Sequence, residues 1–323
     1  MSLETEAVLD RRRLRRSMSF WRAAAILAVI AALAAAGLVT ARGTDGAGVL
    51  GRKQIARVTL EGLITENRDQ LRLFRQLAAK DHVAAVILFV NSPGGTTTGG
   101  EALFEAIREV AAKKPVIAQF GTIATSAAYI AGLASDQIFA RGNTITGSVG
   151  VIFQWAEVSE LLGKVGVRMN EIKSGPLKAE PSPFHPLDQA GRETTERMVA
   201  ESMRWFRGLV AERRKVDTAA IPGLEQGRIF SGREALQHKL IDAIGSEPEV
   251  VAYLAEKRGV PRGLKVVDWK PRSDDSLGIL GMVGRALASA FGIDLADRWP
   301  LVGPRLSALG SGGLVSIWQA GEK

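Results

Sequence analysis

The run Val83 to Val90, VAAVILFV, constrains the fold more than any other stretch. Eight consecutive apolar residues carry no polar face, so both sides of the segment must be covered. A run this short, closed by Asn91-Ser92-Pro93, reads as a strand buried inside a parallel sheet. Parallel strands need crossovers, and helices on the sheet faces supply both the crossover and the cover. The flanking sequence agrees. Ile55 to Gly62, IARVTLEG, alternates apolar and polar residues as a half-buried strand does, and Leu71, Phe74, Leu77 and Ala78 fall on one helical face. Leu103, Ile107 and Val110 mark a second helix, and Pro115 to Phe120, PVIAQF, a further buried strand. The β-α-β-α order predicts an α/β fold with right-handed crossovers.

Beyond it the pattern continues with a helix opening near Ser126, then strands at QIFA (137–140) and GVIF (150–153). EVSELLGKVG reads as a helix and VRMNEI (167–172) as a strand. Lys173 to Leu187, KSGPLKAEPSPFHPL, is a proline-rich irregular segment, followed by a long helix over Gln189 to Lys215. In GRIFSGREALQHKLIDAIGS, Ser231 and Glu234 have capping-box spacing at the start of a helix. From about Pro261 the pattern weakens. Leu277, Leu280, Gly284, Leu287 and Phe291 lie on one helical face, which fits an amphipathic helix at a membrane or subunit contact, or one packed on its own domain.

The N-terminus is of another character. Residues 1–22 carry Arg11, Arg12, Arg13, Arg15, Arg16 and Arg22, part of a net charge of +8. An arginine block can bind nucleic acid, but here it precedes Ala23 to Ala41, an uncharged apolar run that nearly spans a bilayer core. Basic residues ahead of such a run hold that side in the cytoplasm. The expected organisation is a cytoplasmic tail (1–22), a single transmembrane anchor (23–41), a glycine-rich linker (42–54), a catalytic domain outside the inner membrane (55–260) and a C-terminal extension (261–323). The apolar run is long for the core of a cleaved signal peptide, which favours a retained anchor. There is no cysteine, which excludes disulfides and thiolate chemistry, and the three histidines show no metal-ligand spacing. No metal or cofactor is expected.

Ser126 stands where a helix would begin, after GTIAT and before the apolar run 127–134. Most serines in that place are N-caps. A nucleophilic serine would need an oxyanion hole and a base. The N–H of Ala127 at the helix start could face an oxyanion. Gly94 and Gly95, in a Pro-Gly-Gly turn after the buried strand, would let a substrate backbone approach, with the Gly95 N–H as second donor. The small residues after Ser126 would let a peptide backbone lie against the helix. No histidine lies in these segments, and His185 reads as an incidental exposed residue. A lysine base remains, and Lys173 and Lys178 both qualify by position.

Four motifs, FVNSPGG, TSAAYIAGLASDQIFA, TITGSVGVI and IKSGPLKAEPSPF, resemble those of the bacterial signal peptide peptidase A family in order and spacing, over about Ile55 to Val260. That family consists of membrane-anchored Ser/Lys proteases of Clp protease/crotonase-like fold, built from repeated β-β-α units. The resemblance implies Ser126 as nucleophile, Lys178 as general base, Gly94 and Gly95 as the oxyanion turn, and Ser148 as a hydroxyl that helps hold the lysine amine. Where many members read Ser-Gly-Gly, this chain has Ser126-Ala127-Ala128, which narrows the first subsites and leaves the Ala127 N–H in place. The implied substrates are remnant signal peptides and similar extended apolar peptides. The implied assembly is a homo-oligomer with serine and lysine from adjacent subunits. Two other functions fit parts of the pattern. A crotonase-type acyl-CoA enzyme would share the fold, and a non-catalytic membrane scaffold would need no Ser126 hydroxyl.

Overall fold

The computed structural model describes Trp21, residues 52–271 and the backbone of 315–317. The sheet contains nine strands: β1 (Gln54–Ile64), β2 (Val83–Thr96), β3 (Val116–Thr125), β4 (Gln137–Ala140), β5 (Ile145–Gly147), β6 (Ile229–Ser231), β7 (Ala243–Ile244), β8 (Val266–Trp269) and β9 (Val315–Ile317). Helices α1 (Arg68–Ala79), α2 (Thr97–Ala111) and α3 (Ala127–Leu133) connect the first four strands. Four more follow: α4 (Ser159–Lys164), α5 (Gln189–Arg214), α6 (Gly232–Gln237) and α7 (Glu247–Lys257). Strand order is β6-β5-β3-β2-β1-β8, with β4 also on β3, β7 on β4, and β9 on β2. The pairs β1–β2, β2–β3, β3–β4 and β1–β8 are parallel. The chain is therefore α/β as read from the sequence, and β4 and β5, with no helix between them, both pair with β3.

The period-2 pattern of β1, β2 and β3 splits into two cores, one on each face. Ala56, Val58, Val86, Leu88, Val116 and Ala118 pack with Phe74, Phe120, Tyr129 and Phe206. Their neighbours Ile55, Ala85, Ile87 and Ile117 pack with Val250 and Leu254 of α7. Each large side chain fully buried in this way contributes about 1.5–3 kcal/mol relative to exposure. Residues 266–269, placed by the sequence reading in the C-terminal extension, pair with β1. There Asp268 accepts from the Arg57 guanidinium, which Glu247 also engages.

Several local expectations change. GVIF forms no extended strand; the strand that pairs with β3 is the preceding Ile145–Gly147. VRMNEI has no regular structure and, among the described residues, pairs with no strand. Its apolar side chains Val167, Met169 and Ile172 are exposed instead. At α6 half of the capping box forms. Ser231 accepts from the Glu234 N–H, while the Glu234 carboxylate is taken by Arg228. The reciprocal box caps α7, where Ser246 and Glu249 hold each other. Among the described residues no helix is long and apolar enough to cross a membrane. The expected anchor, 23–41, and the amphipathic segment around 277–291 lie outside the described residues.

Candidate active site

Ser126 occupies the single residue between β3 and α3. Its backbone, at φ 59° and ψ −121°, lies outside the regions open to ordinary L-residues. Such strain costs of order 1–3 kcal/mol and persists only where the surroundings impose it. They do: the Ser126 N–H donates to the Gly147 carbonyl at 3.0 Å, and the Ser126 carbonyl accepts from Ile130 N–H at 3.0 Å. The side chain makes no capping hydrogen bond to α3, so this serine is not an ordinary N-cap. Helix α3 is held rigidly beneath it. All seven residues are buried, and the Tyr129 hydroxyl donates to the Leu240 carbonyl at 2.7 Å.

The small residues of this region serve that packing. A Cβ at Gly132 would stand 2.5 Å from the Phe120 ring, and one at Gly100 3.2 Å from the Ala127 methyl. This packing gives them a structural reason as well, the close approach of α3 to the sheet and to α2.

Ser148 lies next to the carbonyl that grips Ser126. Gly147 (φ 86°) and Ser148 (φ 52°) both take positive φ, and Ser148 N–H donates to the Arg228 carbonyl at 2.9 Å. Gly94 and Gly95 do not form a terminal turn. β2 runs on through Pro93 to Thr96, with Gly94 at φ 113°. Gly94 and Gly95 pair with Leu63 and Ile64 of β1, so closely that a Cβ at Gly95 would meet the Ile64 carbonyl oxygen at 1.8 Å. Gly95→Ala is therefore expected to displace the end of β1 or unfold part of the domain, seen as a lowered Tm; an unchanged Tm would show that the strands separate freely.

β2 and β3 stay paired only as far as Ser92 and Ala124. Two polar side chains brace the divergence and a third ties β2 to β1. The Asn91 carboxamide accepts from Thr122 and Ile123 N–H, Thr125 Oγ1 donates to the Pro93 carbonyl, and Ser92 Oγ donates to the Gly62 carbonyl at 2.6 Å. None of these was singled out in the sequence, though their polarity at the end of an apolar strand was the available signal. Past Ser92, β2 offers an edge on the side β3 has left, and there Gly94, Gly95 and Thr96 pair antiparallel with Ile317, Ser316 and Val315 of β9. The backbone beside the serine turn accepts an extended chain.

Lys178 lies elsewhere. It is exposed in the irregular loop after α4, with a backbone hydrogen bond to Gly175, followed by Ala179 at φ 65°. Lys173 differs sharply. Its ammonium lies 2.8 Å from Glu180 Oε1 and 2.9 Å from Glu171 Oε2. The carboxylates of Glu180 and then Glu171 hold it above the ordinary lysine range, so it is a fixed cation and a poor base. His185 is not incidental: its Nε2 is 3.1 Å from Lys173 Nζ and 3.2 Å from Glu180 Oε1.

Known proteins resemble this chain. Residues 108–261 match the model of Peptidase family S49, and residues 56–144 match that of Clp protease. A Synechocystis protein carrying a protease name, slr0021, is 30% identical over 211 residues, covering 65% of this chain and 76% of that protein. An Enterococcus faecium protein named for signal peptide peptidase SppA is 32% identical over 223 residues, 64% of each chain. The chloroplastic serine protease SPPA of Arabidopsis thaliana is 28% identical over 263 residues, 76% of this chain and 38% of that protein. The molecule is a serine peptidase with a Clp protease-like α/β sheet. It belongs to peptidase family S49.

Proposed function

We propose that the chain is a membrane-anchored serine endopeptidase in which Ser126 and Lys178 form the catalytic dyad and extended apolar peptides, remnant signal peptides among them, are the substrates. The observation that carries this reading is the strained, buried Ser126 turn set beside a strand edge that takes an antiparallel chain. Substrate would take the place of β9 on β2 by main-chain pairing, which fixes the scissile carbonyl without demanding a particular side chain. Ser126 Oγ attacks that carbonyl as Lys178, as the free amine, accepts its proton. The N–H groups of Gly95 and Ala127 receive the oxyanion, and Ser148 steadies the amine. The lysine then protonates the departing amine, the C–N bond breaks, and the acyl-enzyme remains. Water, deprotonated by Lys178, attacks the ester; the acid product leaves and Ser126 recovers its proton. The test is labelling by a fluorophosphonate probe. Modification mapped to Ser126, and lost in Ser126→Ala, is expected; a label on another residue overturns the nucleophile.

The same reading extends to a second copy of the chain. A lysine base must shed water to work as a neutral amine, yet Lys178 is exposed here. The segment that carries it also exposes Leu161, Val165, Val167, Met169, Ile172 and Leu177, with Ile172 at 106% of its reference area. An apolar patch of this kind marks an interaction surface. In a homo-oligomer it would pack on the neighbour and carry Lys178 to the neighbour's Ser126.

The anchor is assigned to residues 23–41, with the domain outside the inner membrane. Protease added to spheroplasts is expected to digest the domain and leave a short N-terminal fragment. Protection of the whole chain would reverse the topology, and a mature chain starting near Gly37 would replace the anchor with a cleaved signal.

A further inference from the structure

We propose that Glu180 is a positioning residue for Lys178, acting through Lys173 and His185; the proposal rests on Lys178 being the base. The loop that carries Lys178 has no helix or strand of its own between residues 165 and 188. Its backbone hydrogen bonds near the lysine are two, Lys178 N–H to Gly175 and a longer Glu180 N–H to Leu177 at 3.4 Å. Farther along, Val158 N–H donates to the Pro183 carbonyl at 2.8 Å, and around the lysine itself the closure is made by side chains. Lys173, Glu180 and His185 meet at a neck, with mutual distances of 2.8, 3.1 and 3.2 Å, and Leu177, Lys178 and Ala179 lie on the stretch between the first two. Glu171 adds a second carboxylate to Lys173, and His185 Nδ1 faces the Pro186 carbonyl at 3.1 Å, which fixes the ring.

Glu180 is the centre of this knot. Its side chain is only 5% exposed, against 20% for Lys173 and 37% for His185. It also joins the loop to α5: with Leu177 and Pro181 it lines a cavity of about 60 Å³ whose far wall is Gly191, Thr194, Thr195 and Met198. One oxygen, Oε1, faces both Lys173 and His185, while the other, Oε2, is buried without a hydrogen-bond partner. A buried carboxylate with an unsatisfied oxygen is a costly way to hold a surface loop. A neutral side chain of the same shape would bury no charge there and would lose the ion pair to Lys173. The arrangement is therefore better explained by the placement of the residue two positions earlier than by stability. A base displaced by about 1 Å can lose on the order of 10²-fold in rate.

The experiment uses the full chain in detergent and an internally quenched apolar peptide, comparing Glu180→Gln, Lys173→Met, the double variant and Lys178→Ala. Glu180→Gln is expected to lower kcat about tenfold while KM changes less than about twofold, since the substrate strand sits on β2. Its Tm should be unchanged or higher. Lys173→Met should lower kcat similarly, and the double variant should be no worse than either single change, because both break one unit. Wild-type kcat in Glu180→Gln overturns the proposal, as does a kcat loss matched by a fall in Tm, or multiplying losses in the double variant. Retained activity in Lys178→Ala would instead remove the base assignment itself.

Discussion

Replacing Ser126 by alanine, or Lys178 by alanine, is expected to lower peptidase turnover by about 10⁴-fold or more while the domain stays folded. The folding half of this expectation follows from the structure. Alanine and serine share a Cβ, so the strain at φ 59° is the same in both, and the backbone hydrogen bonds to Gly147 and Ile130 do not involve the side chain. Lys178 is exposed, and truncating it opens no cavity. Ser126→Gly gives a further check. Glycine tolerates positive φ, so that variant should be equally inactive yet raise Tm. The catalytic half follows from role. Without Oγ no acyl-enzyme forms, and without the amine the hydroxyl keeps its proton. Turnover within about tenfold of the parent in either folded variant would remove that residue from the mechanism.

Much of this was legible in the sequence, for reasons that differ by element. Strands β1 to β3 could be read because burial on both faces leaves long apolar runs, which few other structures accommodate. Ser126 could be located because a hydroxyl ahead of a wholly apolar helix stands out. Its backbone strain could not, since φ is set by the Gly147 carbonyl far along the chain. The Pro-Gly-Gly segment misled for a related reason. Glycine signals a turn in isolation, but here it permits close parallel pairing with Ile64. VRMNEI has the composition of a strand but pairs with none among the described residues, so its propensity goes unused. The choice between Lys173 and Lys178 was open to residue chemistry alone. The resemblance pointed to Lys178, and the ion pairs of Lys173 with Glu180 and Glu171 came into view only in the fold. His185 looked solitary because its partners are brought to it by a loop without periodicity.

The second large effect concerns assembly. Purified Ser126→Ala and Lys178→Ala chains should each be inactive, and mixing them under conditions that exchange subunits should restore activity. The reason is that each variant keeps what the other lacks. If the dyad is built across an interface, a Lys178→Ala chain supplies an intact serine and its Ser126→Ala neighbour an intact lysine. In a ring of equal parts randomly mixed, about one interface in four pairs both, so recovery should approach about a quarter of the parent activity. Against an almost complete loss in each parent variant, that is a rise of about three orders of magnitude. Two observations motivate this expectation. Lys178 is exposed and makes no side-chain hydrogen bond or ion pair among the described residues, and the apolar side chains around it are uncovered. Both deficits are removed at once if a neighbour covers the segment, since the same contact that buries Ile172 and Leu177 would desolvate the amine. Exchange must be shown separately, by cross-linking chains that carry different tags. If exchanged mixtures stay inactive, serine and lysine meet within one chain. The loop that Glu180 anchors would then have to fold back onto its own sheet.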